Sequence, residues 1–455
     1  MLLKIKPALL LLLKLLIGVA LGTVLMISVY FIPTNQIEKH VGDSAEVFET
    51  EGRYPEFFVN KGIGGRGYCN SRRDNVSDSF MLLEAAYNSK YETTKKYQNK
   101  GPVALSMLNI RYGKPSDPVG SLVDHYKYGK KFNYEIMYGR YWNGYLSYLK
   151  PLLLLFDYSA IRIINIVFQI ILFALIIFFL NKKGLKQYIA PYILSILMAM
   201  PVAIVLNMQL SNCFTVLNMG MLVVLLCKDY LEERVCSIFL ILGMVTAFID
   251  LFSYPLATFG VPAVLYFTIT KSESIKKVFI KIVKIGLPWG IGYGVMWLGK
   301  WIIGNILSGE NIFKDGFEQV VLRTGTAAEK GSELHFSIFR AVGRNLGAFL
   351  FTPVTIILGI FVLVMLILII RKLKGHLKEK SQKIELLKIS IPYLLLMFAP
   401  IVWYIVIRNH SATHAYLFAN KELLISSMAL AFWMMKLYIW SKSLNQESVN
   451  IEKAG

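Results

Sequence analysis

Cysteine is scarce in this 455-residue chain: Cys69, Cys213, Cys227 and Cys236 are all there is, and no two stand in Cys-x-x-Cys spacing. Four thiols over such a length build no disulfide framework and no redox pair. Charge is scarce too, at 17% against about a quarter in an ordinary soluble protein. It also leans one way, with 49 Lys and Arg to 29 Asp and Glu, a formal +20. No Gly-x-x-x-x-Gly-Lys-Ser/Thr occurs, and the glycines at 62, 64, 65 and 67 (GIGGRG) stand in no strand-to-helix context, so no nucleotide-binding loop is expected.

What abounds is apolar, 55% of the residues, gathered in repeated runs of about 20, which excludes a soluble domain and a disordered chain alike. The Lys and Arg residues sit between those runs rather than in one patch. That is how a multispan protein fixes its orientation, so membrane lipid and not nucleic acid is the expected partner. Lys4 and Lys6 precede an apolar run to Ile32 interrupted by Lys14; it is too long for a signal peptide and no small-residue cleavage site follows, so it reads as the first membrane helix.

A hydrocarbon core about 30 Å thick takes roughly 20 residues of helix. On that measure spans are expected at 8–32, 160–180, 189–206, 213–227, 237–251, 255–270, 285–303, 346–370, 389–407 and 421–440. The expected fold is all-α, a polytopic integral membrane protein of about ten transmembrane helices with a large first extracytoplasmic loop. Segments 181–187, 271–284 and 371–388 are short and rich in Lys and Arg, which puts them, and both termini, in the cytoplasm. The outer side then receives 33–159, 304–345 and 408–420; the first is basic too, but loops longer than about 60 residues translocate regardless of charge. The tail 441–455 is polar and reads as disordered. Residues 237–270 span only about 51 Å as helix where two crossings need about 60 Å. The turns at Asn207, Gln209, Ser211 and Asn212 and at Asp250, Ser253, Tyr254 and Pro255 should therefore lie below the outer surface, around a cavity roofed by the large loop.

Within that loop, RRDNVSDSFMLLEAAYN (Arg72–Asn88) sets Asp74 and Asp78 four apart, on one face of a helix, with Glu84 turned away from them. Paired carboxylates on a fixed element suit a general base. Asp74 equally suits a helix N-cap, whereas Asp78 lies inside the apolar part and is the first choice as base. Tyr and Trp crowd the stretch from Phe132 to Leu155, either as a plain interfacial anchor or as a platform for a lipid-linked or sugar substrate, with Arg140, Tyr141 and Trp142 foremost. Asp250 ends an apolar span, an expensive place for an acid. It is either a structural partner for a neighbouring Arg or helix terminus, or, with Tyr254 and Glu84, a substrate contact. Arg408, His410, His414 and Lys421 in the last outer loop suit a phosphate or diphosphate, with snorkelling the plain alternative for Arg408 and Lys421. The two His have helical zinc spacing, but no Glu follows His410 and no third ligand is near. No resident cofactor is expected, and a divalent metal stays open.

In layout, and in DNVSDSFML (74–82), GRYWNGYLSYLKPLLLLFDYSAIR (139–162), DLFSYPLATFGVP (250–262) and RNHSATHAYLFANKELL (408–424), the chain resembles the GT-C superfamily of membrane glycosyltransferases, in particular bacterial proteins of surface polysaccharide decoration. The resemblance implies a polyprenyl-phosphate sugar donor and an inverting transfer, on the outer face, to a glycan or lipid-linked acceptor of the cell envelope. Asp74 or Asp78 would be the base. Arg408, His410 and His414, then Arg72 and Arg73, would meet the leaving phosphate. The chain departs from many such proteins in having no Asp-Asp or Asp-Glu dipeptide in the loop. A flippase or transporter for a lipid-linked saccharide, or a polymerase or ligase of lipid-linked polymers, would use the same cavity; a repeat-type transporter should show two matched halves, and short hairpins occur only in the first half.

Overall fold

A computed structural model describes residues 2–57, 69–88, 96–325, 336–374 and 379–454. The glycines of 62–67 lie outside the described residues. The chain opens with α1 (Leu2–Tyr30), followed by a compact unit of short elements: α2 (Asn35–Asp43), α3 (Ala45–Glu51), α4 (Asn75–Ala85), α5 (Pro102–Leu108), β1 (Ile110–Tyr112), α6 (Pro118–Tyr126), β2 (Glu135–Met137) and α7 (Leu146–Leu153). β1 and β2 form an antiparallel ribbon in which Arg111 faces Ile136. Then come α8 (Tyr158–Lys182), α9 (Ile189–Met198), α10 (Pro201–Val205), α11 (Met208–Leu226), α12 (Leu231–Ile249), α13 (Leu256–Ile269) and α14 (Ile275–Ser308). α15 (Ile312–Thr324), α16 (Ile338–Leu350), α17 (Pro353–Leu373), α18 (Lys380–Val406), α19 (Arg408–Thr413) and α20 (Leu424–Ala454) complete the chain.

The fold is nearly all helix and polytopic. Seven stretches of helix are long and apolar enough to cross a bilayer: Leu9–Tyr30, Tyr158–Lys182, Met208–Leu226, Ile275–Ser308, Pro353–Leu373, Lys380–Val406 and Ala419–Leu444. Two expected spans divide. The run 189–206 breaks at Met200, which takes a left-handed φ of 54° before Pro201, because proline has no N–H to continue the ladder and restricts the residue before it. The run 346–370 becomes amphipathic α16 and apolar α17, with Pro353 at the first position of the second helix, where a proline is at home. α13, at 14 residues, reaches only about 21 Å. The tail read as disordered continues α20 to Ala454; it contains neither Gly nor Pro before Gly455.

Two apolar cores hold the molecule. One joins α8, α9, α11, α12 and α13 with α14, α17, α18 and α20; the other packs the unit of short elements, through Phe48, Met81, Tyr112 and Trp142, against α1, α12 and α14. The described residues between 33 and 157 are therefore a packed domain seated on the helices. α12 and α14 approach so closely that a Cβ on Gly243 would stand 2.1 Å from the Trp289 carbonyl oxygen, and one on Gly292 2.2 Å from that of Leu240.

The polar segments gather at two ends. At one, Lys183 pairs with Asp229, Lys281 with Glu232, and Lys388 reaches the Glu273 carbonyl. At the other, Arg140 pairs with Asp315, Lys100 bonds the Ser308 carbonyl, and the Phe336 amide donates to Asn409. α8, at 25 residues, separates these ends by about 37 Å.

Candidate functional site

At that second end lies a cavity of about 270 Å³ walled by Ser77 and Phe80 of α4, Arg111 of β1, Gln209 of α11, Arg323 of α15, and His410, His414 and Phe418. Helix termini place much of this wall. Asp74 is the N-cap of α4, its Oδ1 accepting the Ser77 amide at 3.1 Å and its Oδ2 the Ser77 hydroxyl at 2.7 Å. Its carbonyl takes Nδ2 of Asn207, and Asn207 in turn caps α11 through the Leu210 amide. α4 and α11 are thus locked start to start.

Asp78 completes the lock. Its carboxylate accepts the Met208 amide at 2.9 Å, the Gln209 amide at 3.0 Å and the Tyr158 hydroxyl, so it caps α11 from outside that helix. Both acids are buried. Burial pushes Asp78 up to about 6 against the pull of its donors, and it raises Asp74 as well. Neither acid lines the cavity directly. Asp74 stands one hydrogen bond behind the Ser77 hydroxyl, Asp78 one behind the Gln209 amide.

Two guanidiniums face the space. Arg111, on the ribbon, donates to the carbonyls of Tyr112 (2.9 Å) and Gly113 (3.3 Å), and lies 4.7 Å from the ring centre of Phe80. Burial lowers it to about 10, still charged at neutral pH. Arg323, in the last turn of α15, sits over the rings of Phe252 (4.9 Å) and Tyr141 (5.3 Å). Neither arginine is in an ion pair among the described residues. The expectations passed over both, since nothing in NIRYG or VVLRTG marks an arginine that folding leaves without a carboxylate.

His410 is 2.8 Å from the Phe252 carbonyl through Nε2. A carbonyl only accepts, so Nε2 carries the proton and Nδ1 is left as an acceptor. His414 stacks on Phe418 at 4.5 Å and lies 4.7 Å from the His410 ring. Burial and then neighbouring positive charge, His414 and Arg323 for His410 and Arg323 for His414, hold His410 well below the usual range and His414 at about 3. Both are held toward the neutral, hydrogen-bonding imidazole. No third His, Cys, Asp or Glu joins them as a possible metal ligand among the described residues.

The remaining candidates are engaged elsewhere. Lys421 spends all three N–H groups on the Asn70 carbonyl (3.2 Å), Asn70 Oδ1 (3.0 Å) and the Ala199 carbonyl (3.1 Å). Arg408 bonds the Gly325 carbonyl at 2.7 Å. Arg72 pairs with Glu56, and Arg73 with Glu51. Glu84 is buried with Asn143 (2.7 Å) and the Tyr145 hydroxyl, away from Asp74 and Asp78. Trp142 is core, donating to the Met296 carbonyl, and Arg140 is paired with Asp315. Most of the aromatic stretch packs inward instead of offering a platform; Tyr134 is exposed, Tyr138 lines the cavity, Tyr141 carries Arg323, and Tyr148 lines a second space. Asp250 closes its own turn on Ser253, and the Tyr254 hydroxyl bonds the Leu210 carbonyl. Both turns expected below the surface are buried in protein.

Across the first turn of α11 from the cavity runs a second space of about 320 Å³, largely apolar, between Tyr148, Ile164, Phe168, Met208 and Ile249. Ile164 and Phe168 are exposed there, so it opens toward the surface that would meet lipid. No protein-family model, curated protein or solved structure matches the chain.

Proposed function

We propose that the chain is an inverting glycosyltransferase that moves a sugar from a polyprenyl-phosphate donor to a cell-envelope glycan or lipid-linked acceptor outside the cytoplasm. The observation that carries this reading is the pair Arg111 and Arg323, two guanidiniums that have no carboxylate partner among the described residues, on one cavity beside an apolar groove that faces lipid. A phosphate on a long apolar chain satisfies both. In this reading the seven spans, α12, α13 and the broken pair α9–α10 make ten crossings. The end rich in Lys, with both termini, is cytoplasmic, and the cavity is extracytoplasmic.

Arg111 and Arg323 hold the donor phosphate and take up its growing charge as the anomeric carbon–oxygen bond breaks, a service that needs positive groups already in place. The acceptor hydroxyl attacks that carbon from the opposite side. Its proton passes to Ser77 Oγ as the Ser77 proton moves to Asp74 Oδ2, along the 2.7 Å hydrogen bond already present. Asp74 rather than Asp78 is the base, because a hydroxyl relays a proton and the Gln209 amide in front of Asp78 does not. The raised affinity of buried Asp74 for a proton suits that task. His410 offers Nδ1 as an acceptor for a sugar hydroxyl.

The test is the sugar composition of envelope glycans in cells carrying the wild-type gene, a deletion, Asp74→Asn or Arg323→Gln at matched protein levels. Loss of one sugar in all three altered strains, with the polymer backbone intact, is expected. Loss of whole polymers in the deletion, or accumulation of lipid-linked precursor there, with both variants behaving as wild type, overturns the reading in favour of a carrier or a polymerase.

A further inference from the structure

The opposite, Lys-rich end of the molecule holds a cavity of about 450 Å³ that the proposed transfer does not use. Three lysines line it, Lys271, Lys388 and Lys436, against one acid, Glu385. The count of donors is instructive, since an ammonium has three N–H groups. Lys436 gives two of them to the carbonyls of Phe267 (2.9 Å) and Thr268 (2.7 Å), the last turn of α13. Lys388 gives one to Glu385 and another, at 3.5 Å, to the Glu273 carbonyl. Each keeps a third. Lys271 makes no ion pair, and the Tyr188 hydroxyl, also on the lining, makes no hydrogen bond among the described residues. The rest of the wall is apolar, with Phe267, Ile389, Ile439 and Trp440.

Unused donors of one sign, converging from α18, α20 and the segment after α13, are an incomplete electrostatic arrangement: Glu385 answers Lys388 alone, and three ammoniums against one carboxylate leave an excess of positive charge for an anion to meet. An oxyanion with several acceptor oxygens answers them, and the apolar wall answers a hydrocarbon attached to it. We propose that this cavity binds a phosphate group carried on an amphiphile, an anionic phospholipid of the leaflet that meets the Lys-rich end. The bound phosphate adds to the polar contacts that already join α13, α18 and α20, the bonds of Lys436 to the Phe267 and Thr268 carbonyls among them. The proposal stands independently of the sugar-transfer reading.

The experiment uses the purified full-length protein exchanged into phosphatidylcholine alone or phosphatidylcholine with phosphatidylglycerol, with retained lipid counted by native mass spectrometry. Wild type is compared with Lys271→Gln, Lys388→Gln and, as a control on an exposed lysine of α18 outside the cavity, Lys383→Gln. Phosphatidylglycerol is expected to stay on wild type and the control and to fall about fivefold with each lining lysine, the loss of one charge-assisted hydrogen bond. Melting in phosphatidylcholine alone, the same for all four proteins, shows that they are folded. A parallel arm adds glycerol 3-phosphate in phosphatidylcholine. Stabilisation of wild type and not of the lining variants there, without selective retention of phosphatidylglycerol, assigns the same phosphate chemistry to a soluble ligand. Equal retention of both lipids, or equal loss in lining and control variants, with no effect of glycerol 3-phosphate, overturns the proposal.

Discussion

Buried charged residues in this protein are placed mostly at helix ends. Asp78 meets the first amides of α11, and Glu422 the Leu256 amide that starts α13. Lys300 meets the last carbonyls of α5 and the Asn109 side chain, Lys436 those of α13, and Lys421 the Ala199 carbonyl just past α9. Acids go to starts and bases to ends, as the unpaired amides and carbonyls of a helix require where water is absent. Asp78→Asn offers one acceptor oxygen in place of two and leaves part of this lock unmade. Thermal unfolding in detergent should show a loss of about 2 kcal/mol. Asp74→Asn keeps a good N-cap and should shift stability by less than about 1 kcal/mol while abolishing the proposed sugar transfer. Wild-type melting of Asp78→Asn is the result that removes its structural role. Glu84 is pushed up to about 7 and Asp78 to about 6, both by burial. From their ordinary values near 4 up to those points, the folded chain holds more protons than the unfolded one, so stability falls as pH rises. Melting temperature should therefore drop between about pH 4 and pH 7, and drop less in Glu84→Gln. The cap at Asp74 was legible, since an Asp opens an apolar run. The partner of Asp78 lies 130 residues away, and no local pattern announces it.

Most long helices were legible from their apolar runs, and their limits were not. A hydropathy window passes over Met200–Pro201 and Thr352–Pro353 because both sides are apolar, yet proline decides the backbone at each. Nor does hydropathy tell a helix that faces lipid from one enclosed by its neighbours. α13 is buried along most of its length and α17 along little, although the two read alike. The contact of α12 with α14 rests on two glycines whose missing side chains let backbone meet backbone, the kind of packing that holds helices together where no water drives them. Gly243→Val should force these helices apart, because the obstructing atom is a carbonyl oxygen and not a movable side chain. A loss of about 2 to 3 kcal/mol is expected, against almost none for Gly290→Ala on α14, where a Cβ meets open space. Similar melting of the two variants would show that the approach is not tight.

At the scale of the molecule, the division into a Lys-rich end and an end carrying the packed domain was legible from spacing and charge. The cavity was legible only as a region. That Arg323, from an amphipathic helix, would reach this space was not legible, because amphipathicity marks a surface and not its partner. The proposed orientation is open to direct labelling. In a background without the native cysteines, Lys130→Cys should react with an impermeant maleimide on intact cells and Arg234→Cys only after permeabilisation; the opposite pattern inverts the assignment.

The contact of Lys421 with Asn70 bridges 351 residues. At ribosomal speeds of about 5 to 20 residues per second, the two are made on the order of 20 to 70 s apart. Until then Asn70 and the end of α9 lack their ammonium, and the segment that carries both imidazoles, made just before Lys421, is not anchored to them. A chain halted before Lys421 has both arginines and every acid of the reading, but no finished site. Closure of the site is therefore a late event in the making of the chain, set by Lys421.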